Sequence, residues 1–186
     1  MRELLILLLG LFLLTPAGAR TVEGVDLPEK VDAAGQPLVL NGAGVREKFF
    51  FDIYVAALYL PRREADAKSI LEQDQPWRMV MHFLYKKVGR EKLADGWEEG
   101  FSDNLDAARL ARLRARLDHF KSLFPDLHRG EEVVLDYLPG SGVQVRIRGE
   151  ARGVIKGSDF ARALLSVWLG EEPVTDELKQ ALLGKG

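Results

Sequence analysis

Apolar and polar positions alternate along residues 46–60, as they do on the two faces of a β-strand. One set is entirely apolar or aromatic, which predicts a face turned to the core: Phe49, Phe51, Ile53, Val55, Ala57 and Tyr59. The other set is mixed: Arg46, Lys48, Phe50, Asp52, Tyr54, Ala56 and Leu58. The segment places a lone arginine beside a long apolar surface. This combination suits a ligand that is part acid and part hydrocarbon.

The pattern predicts further strands on both sides of this segment. Short strands are expected at 22–27 and 38–42, and the alternation over 77–85 predicts another. Three consecutive strands follow in the second half, at 132–138, 143–148 and 151–155, the last two joined by a two-residue turn at Gly149-Glu150. Strands joined by such short turns pair in an antiparallel manner.

Helical spacing replaces this alternation between residues 91 and 124, with a break near 103–106. Trp97, Phe101 and Asn104 fall at i, i+4 and i+7, on one face of the first helix. The second helix carries an apolar stripe: Leu110, Leu113, Leu117, Phe120 and Phe124.

Three more helices are predicted: a short one at 66–73, one from Ser158 to Gly170, and a last one capped by Thr175. Hairpin-linked strands with helices grouped in two blocks predict an α+β fold. In such a fold an antiparallel sheet is packed by helices on one face.

The N-terminal 19 residues have the three parts of a secretory signal peptide. Arg2 supplies the positive start, residues 4–14 form an apolar run, and Ala17-Gly18-Ala19 is a small-residue cleavage signal. The apolar run is shorter than the ~20 residues that span a bilayer. We therefore expect residues 1–19 to be removed, which leaves an exported single domain at 20–186 with no stable membrane anchor.

Composition narrows the function classes. With 47% hydrophobic residues the chain can bury one substantial core, and a net charge of −2 gives no reason to expect a nucleic-acid partner. The absence of cysteine excludes disulfides, thiolate metal sites, cysteine nucleophiles and a lipid-bearing cysteine. The three histidines are far apart in sequence, so we expect no metal site.

Two glycine motifs fail as catalytic or cofactor signatures. Gly42-Ala43-Gly44 has Glu47 where a dinucleotide-binding loop needs its third glycine, and no helical pattern follows. Gly140-Ser141-Gly142 lacks the spacing of a nucleophile elbow and is better explained as a turn. We expect no cofactor.

Arg46, Tyr54 and the face with Trp97 and Asn104 are the side chains that could share one pocket. A guanidinium binds a carboxylate in bidentate geometry and a tyrosine hydroxyl adds a neutral donor. Eight steps along a straight strand would separate Arg46 from Tyr54 by roughly 26 Å. A shared site therefore requires a hairpin or a bulge between them.

Several segments in order resemble the chalcone isomerase-like family, in particular its bacterial exported branch. They are residues 24–28, 40–46, 54–60, the helical middle, 124–125, 136–140, 157–170 and 173–174. The resemblance implies an open-faced β-sandwich, with a large antiparallel sheet packed by helices and a ligand cleft between them. It also implies a periplasmic location.

The family's plant isomerases hold their substrate with five polar side chains, of which the resemblance places two unchanged here, Arg46 and Asn104. The other three positions, occupied there by threonine, tyrosine and threonine, are Tyr54, Trp97 and Val167 in this chain. The change to valine removes a hydrogen-bond donor of the kind that stabilises developing negative charge. The plant fatty-acid-binding relatives instead use an arginine and a tyrosine at the two strand positions, which Arg46 and Tyr54 match.

These observations favour a non-catalytic exported binding protein for a fatty acid or similar amphipathic carboxylate, and no residue is assigned a catalytic role. Arg46 would pair with the carboxylate and Tyr54 would donate a hydrogen bond to it. Trp97, Phe101 and Val167 would line the tail region, with Asn104 as polar lining. Two alternatives stay open: an isomerase or intramolecular lyase acting on a phenolic enone, and an envelope interaction module without a small ligand. The oligomeric state is left open.

Overall fold

A curled, seven-stranded antiparallel sheet forms the frame of the molecule in the computed structural model, which describes residues 19–185. Its strands are β3 (Lys30–Ala33), β4 (Gln36–Lys48), β5 (Phe51–Leu60), β6 (Trp77–Phe83), β9 (Glu132–Leu138), β10 (Gly142–Ile147) and β11 (Glu150–Ile155). Their order across the sheet is β11-β10-β9-β6-β5-β4-β3. Two small sheets lie outside it: β1 (Ala19–Val22) with β2 (Val25–Pro28), and β7 (Lys87–Val88) with β8 (Leu127–His128).

Helices cover one face of this sheet. They are α1 (Ala67–Glu72), α2 (Arg90–Asn104), α3 (Ala107–Ser122), α4 (Ser158–Leu169) and α5 (Asp176–Leu182). The main core lies between helices and sheet, and α4 is its most buried helix, with Trp168 and Leu164 fully buried. The predicted α+β architecture, with an antiparallel sheet packed by helices on one face, is thereby confirmed.

The other face of the sheet carries a second, smaller core. Val55, Ala57 and Tyr59 of β5 pack there with Leu27 of β2 and Leu38 of β4. On β5, the side chains that face the helices are those of Tyr54, Ala56, Leu58 and Leu60. Both faces of β5 are therefore buried, whereas the alternation predicted one core face and one mixed face.

The segment predicted as one long β stretch is a hairpin. Lys48 at the end of β4 pairs with Phe51 at the start of β5, and Phe49 and Phe50 form the turn between them, both with positive φ. Phe49 is 78% exposed and Phe51 is 55% exposed, so the prediction that these two belong to the core was wrong. Alternation alone does not distinguish a continuous strand from two strands joined by a two-residue turn.

Smaller differences concern turns. Residues 22–27 contain the turn at Glu23-Gly24, which joins β1 to β2, rather than one strand. The turn between β10 and β11 is Arg148-Gly149, one residue earlier than predicted. The predicted signal peptide lies outside the described residues except for Ala19, which pairs with Pro28 in the small sheet. Among the helices of residues 19–185, none is long and apolar enough to cross a membrane.

An acidic side chain joins α2 to α3 and makes stability depend on pH. Glu98 accepts hydrogen bonds from Arg114 at 2.6 Å and from Lys121 at 2.6 Å. The hydrogen bonds from Lys121 and Arg114 lower the pKa of Glu98 below its ordinary value of 4.5. Because the unfolded chain takes up this proton first, the stabilisation is complete above the ordinary pKa and is lost as the pH falls through the lower folded value.

We therefore expect Glu98→Gln to lower the free energy of unfolding at neutral pH by about 1 kcal/mol or less, as is typical of a partly exposed ion pair. The difference from wild type should shrink as the pH falls below 4.5 and disappear once the pH is below the lowered pKa of Glu98 in the folded protein. Urea unfolding at neutral pH and at a series of acidic pH values measures it. Glu99→Gln, which removes an exposed acid without an ion pair in the described part of the chain, is the control.

Candidate functional site

The β4–β5 hairpin brings Arg46 and Tyr54 together. The turn at Phe49-Phe50 folds the chain back so that Arg46 lies directly opposite Tyr54 in the strand pairing. The guanidinium carbon of Arg46 is 5.7 Å from the centre of the Tyr54 ring, within the range of a cation–π contact. The hairpin that a shared site requires is thus present.

A small cleft lies between this hairpin and α2. Its volume is about 60 Å³. Apolar side chains form most of its wall, with Arg46 and Lys92 as its charged members; the lining residues are Arg46, Ile53, Tyr54, Met81, Phe83, Val88, Lys92, Leu93, Gly96, Trp97, Val167 and Val174. We call this space the inner cleft.

Two buried donors at the inner cleft lack partners. The Nε atom of Arg46 and the Nε1 atom of Trp97 are both buried, and neither has a hydrogen-bond partner among residues 19–185. A buried N–H group without a partner costs about 1–3 kcal/mol, so native proteins rarely leave one unused. Both residues line the inner cleft, so the two groups are candidate donors to an acceptor that comes from outside the chain.

The hydroxyl of Tyr54 is a third donor in the inner cleft. Its oxygen accepts a hydrogen bond from Trp168 Nε1 at 3.1 Å, which leaves its hydrogen able to point into the cleft. Burial raises the pKa of Tyr54, and this outweighs the opposing effects of Arg46 and Trp168. The phenol therefore stays neutral and acts as a donor.

The inner cleft opens into a larger groove on the surface, which we call the outer groove. Its volume is about 490 Å³. The two spaces share Arg46, Ile53, Val88, Lys92 and Gly96. The remaining wall of the outer groove combines aromatic rings and charges: Lys48, Phe49, Phe51, Tyr85, Lys87, Asp95 and Glu99.

Gly96 lies where the two spaces meet. It lies in the interior of α2, where glycine costs roughly 0.5–1 kcal/mol relative to alanine. A Cβ atom on Gly96 would contact nothing within 4 Å, so close packing does not explain this glycine. Gly100, one turn later, differs: a Cβ atom there would lie 2.8 Å from a methyl of Val167.

The six residues predicted for the site divide into two groups. Arg46, Tyr54, Trp97 and Val167 line the inner cleft, whereas Phe101 and Asn104 do not. Phe101 is fully buried and its ring packs against Phe160 at 5.4 Å.

Asn104 has a structural role at the end of α2. Its amide nitrogen donates to the carbonyl oxygens of Gly100 and Glu172, and its amide oxygen accepts from the Glu172 backbone N–H. These bonds tie α2 to the loop between α4 and α5. The helical face chosen from the sequence therefore points partly into the core and partly to this loop.

Sequence reasoning missed Lys92, Leu93 and Gly96, which form the cleft side of α2 together with Trp97. Lys92 and Gly96 are one turn apart, and a glycine in the interior of a helix is the signal that could have found them.

The Gly42-Ala43-Gly44 motif has a packing role. A Cβ atom on Gly42 would lie 2.1 Å from the carbonyl oxygen of Ala181, and one on Gly44 would lie 2.6 Å from the Ala181 Cβ. Glycine is needed because α5 lies directly on β4 at this point. Within residues 19–185 no group of three or more His, Cys, Asp or Glu side chains could hold a metal ion.

A curled antiparallel sheet with helices on one face, and a cleft between the sheet and α2, defines an α+β protein of the half-barrel type. Comparison with family models gives the family: the chalcone isomerase-like model matches residues 19–184, and the chain belongs to this family. The resemblance to this family noted from the sequence is thus confirmed.

A solved structure supports the same fold. The crystal structure of a fatty-acid binding protein from Arabidopsis thaliana matches with a TM-score of 0.69 and 18% sequence identity, over 89% of this chain and 96% of that chain. Identity at this level shows the shared fold alone. The comparison with curated proteins finds no match.

Proposed function

We propose that this protein binds a fatty acid or a similar amphipathic carboxylate and catalyses no reaction on it. The observation that carries the proposal is the pair of buried, unpartnered donors, Arg46 Nε and Trp97 Nε1, beside the neutral hydroxyl of Tyr54. A carboxylate offers about four lone-pair positions, enough to accept from all three groups. The positive charge of Arg46 selects an anion over a neutral acceptor.

The carboxylate belongs in the inner cleft and the hydrocarbon chain in the outer groove. The inner cleft, at about 60 Å³, is well below the roughly 300–1,000 Å³ of typical ligand pockets, whereas the outer groove, at about 490 Å³, lies within that range. Phe49, Phe51 and Ile53 supply apolar surface along it. Each methylene removed from water contributes ~0.8 kcal/mol, so the hydrocarbon tail of the ligand provides most of the affinity. Arg46 fixes the orientation of the ligand by holding its carboxylate.

The family relationship supports this class of ligand. The Arabidopsis protein with the same fold is a fatty-acid binding protein. The present chain has an arginine and a tyrosine facing each other on β4 and β5, a pair able to hold a carboxylate. Val167 stands where the plant isomerases have a threonine, and a valine side chain cannot donate a hydrogen bond. This difference favours binding over the isomerase reaction.

Gly96 gives the test. We expect Gly96→Phe to weaken laurate binding at least ~10-fold, because the ring would fill the passage at which Arg46 meets the outer groove. Calorimetric titration of the purified protein with laurate measures the affinity, and native mass spectrometry shows any lipid that is co-purified. Gly96→Ala should bind normally and gain roughly 0.5–1 kcal/mol in stability.

Ser102→Phe places the same ring on an exposed position of α2 and is the matched control, for which we expect wild-type affinity. Wild-type protein that carries no lipid and ignores laurate would refute the proposed function. Turnover of a chalcone well above the spontaneous rate, abolished by Arg46→Ala, would support the isomerase alternative instead.

We also propose that the protein is exported to the periplasm. The support comes from residues 1–19, which have the charge, apolar length and small-residue ending of a signal peptide. Expression of the full chain in a Gram-negative host should yield periplasmic protein whose intact mass begins at Arg20. A cytoplasmic product that retains Met1 would contradict export.

A further inference from the structure

Lys92 is the second cation of the inner cleft, and its ammonium group has no partner in the described part of the chain. Within residues 19–185, the lysines whose ammonium groups make a hydrogen bond or an ion pair are Lys68, Lys87, Lys121 and Lys179. Lys92 is not among them, although Asp95 lies three residues further along the same helix. The wall of the inner cleft therefore contains a donor that the fold does not use.

The helix does not explain this lysine. Lys92 lies in the first turn of α2, at the end where the helix dipole favours acidic side chains over cations. Its side chain is exposed and so adds nothing to the core. What distinguishes the position is that Lys92 lines both the inner cleft and the outer groove.

The carboxylate of the proposed ligand has no acceptor position left for Lys92. In the inner cleft, Arg46 can donate two hydrogen bonds in bidentate geometry, and Tyr54 and Trp97 can donate one each. A carboxylate accepts at about four positions, so these three side chains fill them. Lys92 needs a different acceptor.

Lys92 lies where the ligand leaves the inner cleft. The residues shared by the two spaces are Arg46, Ile53, Val88, Lys92 and Gly96. Of the polar members, Arg46 already holds the carboxylate, which leaves Lys92. The inner cleft, at about 60 Å³, has room for little more than the carboxylate and the first carbons of the ligand. The ammonium group of Lys92 is therefore placed beside the beginning of the hydrocarbon tail.

We propose that the ligand is a fatty acid with an oxygen on a carbon close to the carboxylate, as in a 3-hydroxy or 3-oxo acid, and that Lys92 donates a hydrogen bond to this oxygen. The inference rests on the proposed function, which it narrows to one class of acid. Ile53 and Val88, the apolar members of the same passage, offer no donor. Because the donor is on one side of the passage, the site should distinguish the two enantiomers of a 3-hydroxy acid.

Calorimetric titration with three acids of equal chain length tests this inference: laurate, 3-hydroxylaurate and ω-hydroxylaurate. We expect wild-type protein to bind one enantiomer of 3-hydroxylaurate ~10-fold more tightly than laurate, as is typical of one added hydrogen bond to a charged group. The ω-hydroxyl group lies at the far end of the tail, so ω-hydroxylaurate should bind no more tightly than laurate.

Substitutions of Lys92 identify the donor. Lys92→Met should abolish the preference for 3-hydroxylaurate while changing the laurate affinity less than about threefold, because a solvent-exposed charge contributes little. Lys92→Arg keeps a cationic donor and should retain most of the preference. Lys86→Met removes an exposed lysine that lines neither space and is the matched control, for which we expect wild-type affinities.

The laurate measurement separates this inference from the proposed function. Wild-type protein that binds laurate but prefers neither enantiomer of 3-hydroxylaurate would overturn the inference and leave the proposed function standing. Equal weakening of laurate and 3-hydroxylaurate binding by Lys92→Met would also overturn it, because Lys92 would then bind the carboxylate. Wild-type protein that binds none of the three acids would refute the proposed function and this inference with it.

Discussion

Arg46→Met is expected to weaken laurate binding about 100-fold while leaving the fold at least as stable as wild type. Arg46 and the bound carboxylate would form a buried, hydrogen-bonded charge pair, and losing one partner of such a pair costs about 2–5 kcal/mol. Every 1.4 kcal/mol changes the affinity tenfold. The fold should not suffer, because Arg46 Nε has no partner among the described residues. Its removal eliminates a buried unsatisfied donor.

Two variants isolate this effect. Arg46→Lys keeps the charge but loses the fork geometry, so we expect an affinity between those of wild type and Arg46→Met. Arg62→Met removes an exposed arginine outside the site and should bind laurate normally. Calorimetric titration gives the affinities and thermal unfolding gives Tm. An Arg46→Met protein with unchanged laurate affinity would show that the carboxylate binds elsewhere.

Asp136→Ala is expected to lower the free energy of unfolding by about 3–5 kcal/mol, the largest stability effect of any substitution considered. The carboxylate of Asp136 accepts from Arg78 at 2.5 Å and 3.0 Å and from Arg146 at 2.7 Å. The side chain of Asp136 is 4% exposed and that of Arg78 is 12% exposed. Removing the carboxylate would leave a buried guanidinium without a counter-charge.

Urea unfolding measures this loss, and Tm should fall by roughly 10 °C. Glu29→Ala is the matched control, because it breaks a pair with Arg63 whose side chains are 36% and 70% exposed. That variant should lose less than about 1 kcal/mol. Equal losses of unfolding free energy in the two variants would show that the buried ion pair of Asp136 stabilises the fold no more than the exposed pair of Glu29 does.

The helices were the part of the fold best predicted from sequence. The break near 103–106 agrees with the boundary between α2 and α3, and Thr175 caps α5 by accepting from the Leu178 N–H. These features depend on contacts three or four residues apart, which a linear pattern contains. The strand boundaries of β9 were predicted equally well for the same reason, since side-chain alternation is local.

The Phe49-Phe50 turn shows where a linear pattern fails. Phenylalanine is not a residue that predicts a tight turn, and its alternation continues that of β5 without a break. The position of the turn is decided by the pairing of β4 with β5, which places Arg46 opposite Tyr54. Phe49 and Phe51, which were predicted to be core residues, are consequently exposed at the tip of the hairpin.

The reasons for the glycines at positions 42, 44 and 96 lie in the packing of elements that are distant in sequence. Gly42 and Gly44 are glycine because α5, more than 130 residues later in the chain, lies against β4. No spacing within the motif could reveal that contact. Gly96 is a glycine where packing leaves space, and only the position of α2 over the hairpin shows that this space joins the inner cleft to the outer groove.

The sequence by itself determined the kinds of element, the α+β class, the family resemblance and the choice of Arg46, Tyr54, Trp97 and Val167 as candidate site residues, because each rests on local periodicity or on ordered motifs. Only the tertiary structure decided that the first two face each other across a hairpin and that Phe101 and Asn104 lie away from the cleft. It also showed which donors are buried without partners. Burial and distance between remote residues depend on how the chain packs, and a linear pattern does not contain that information.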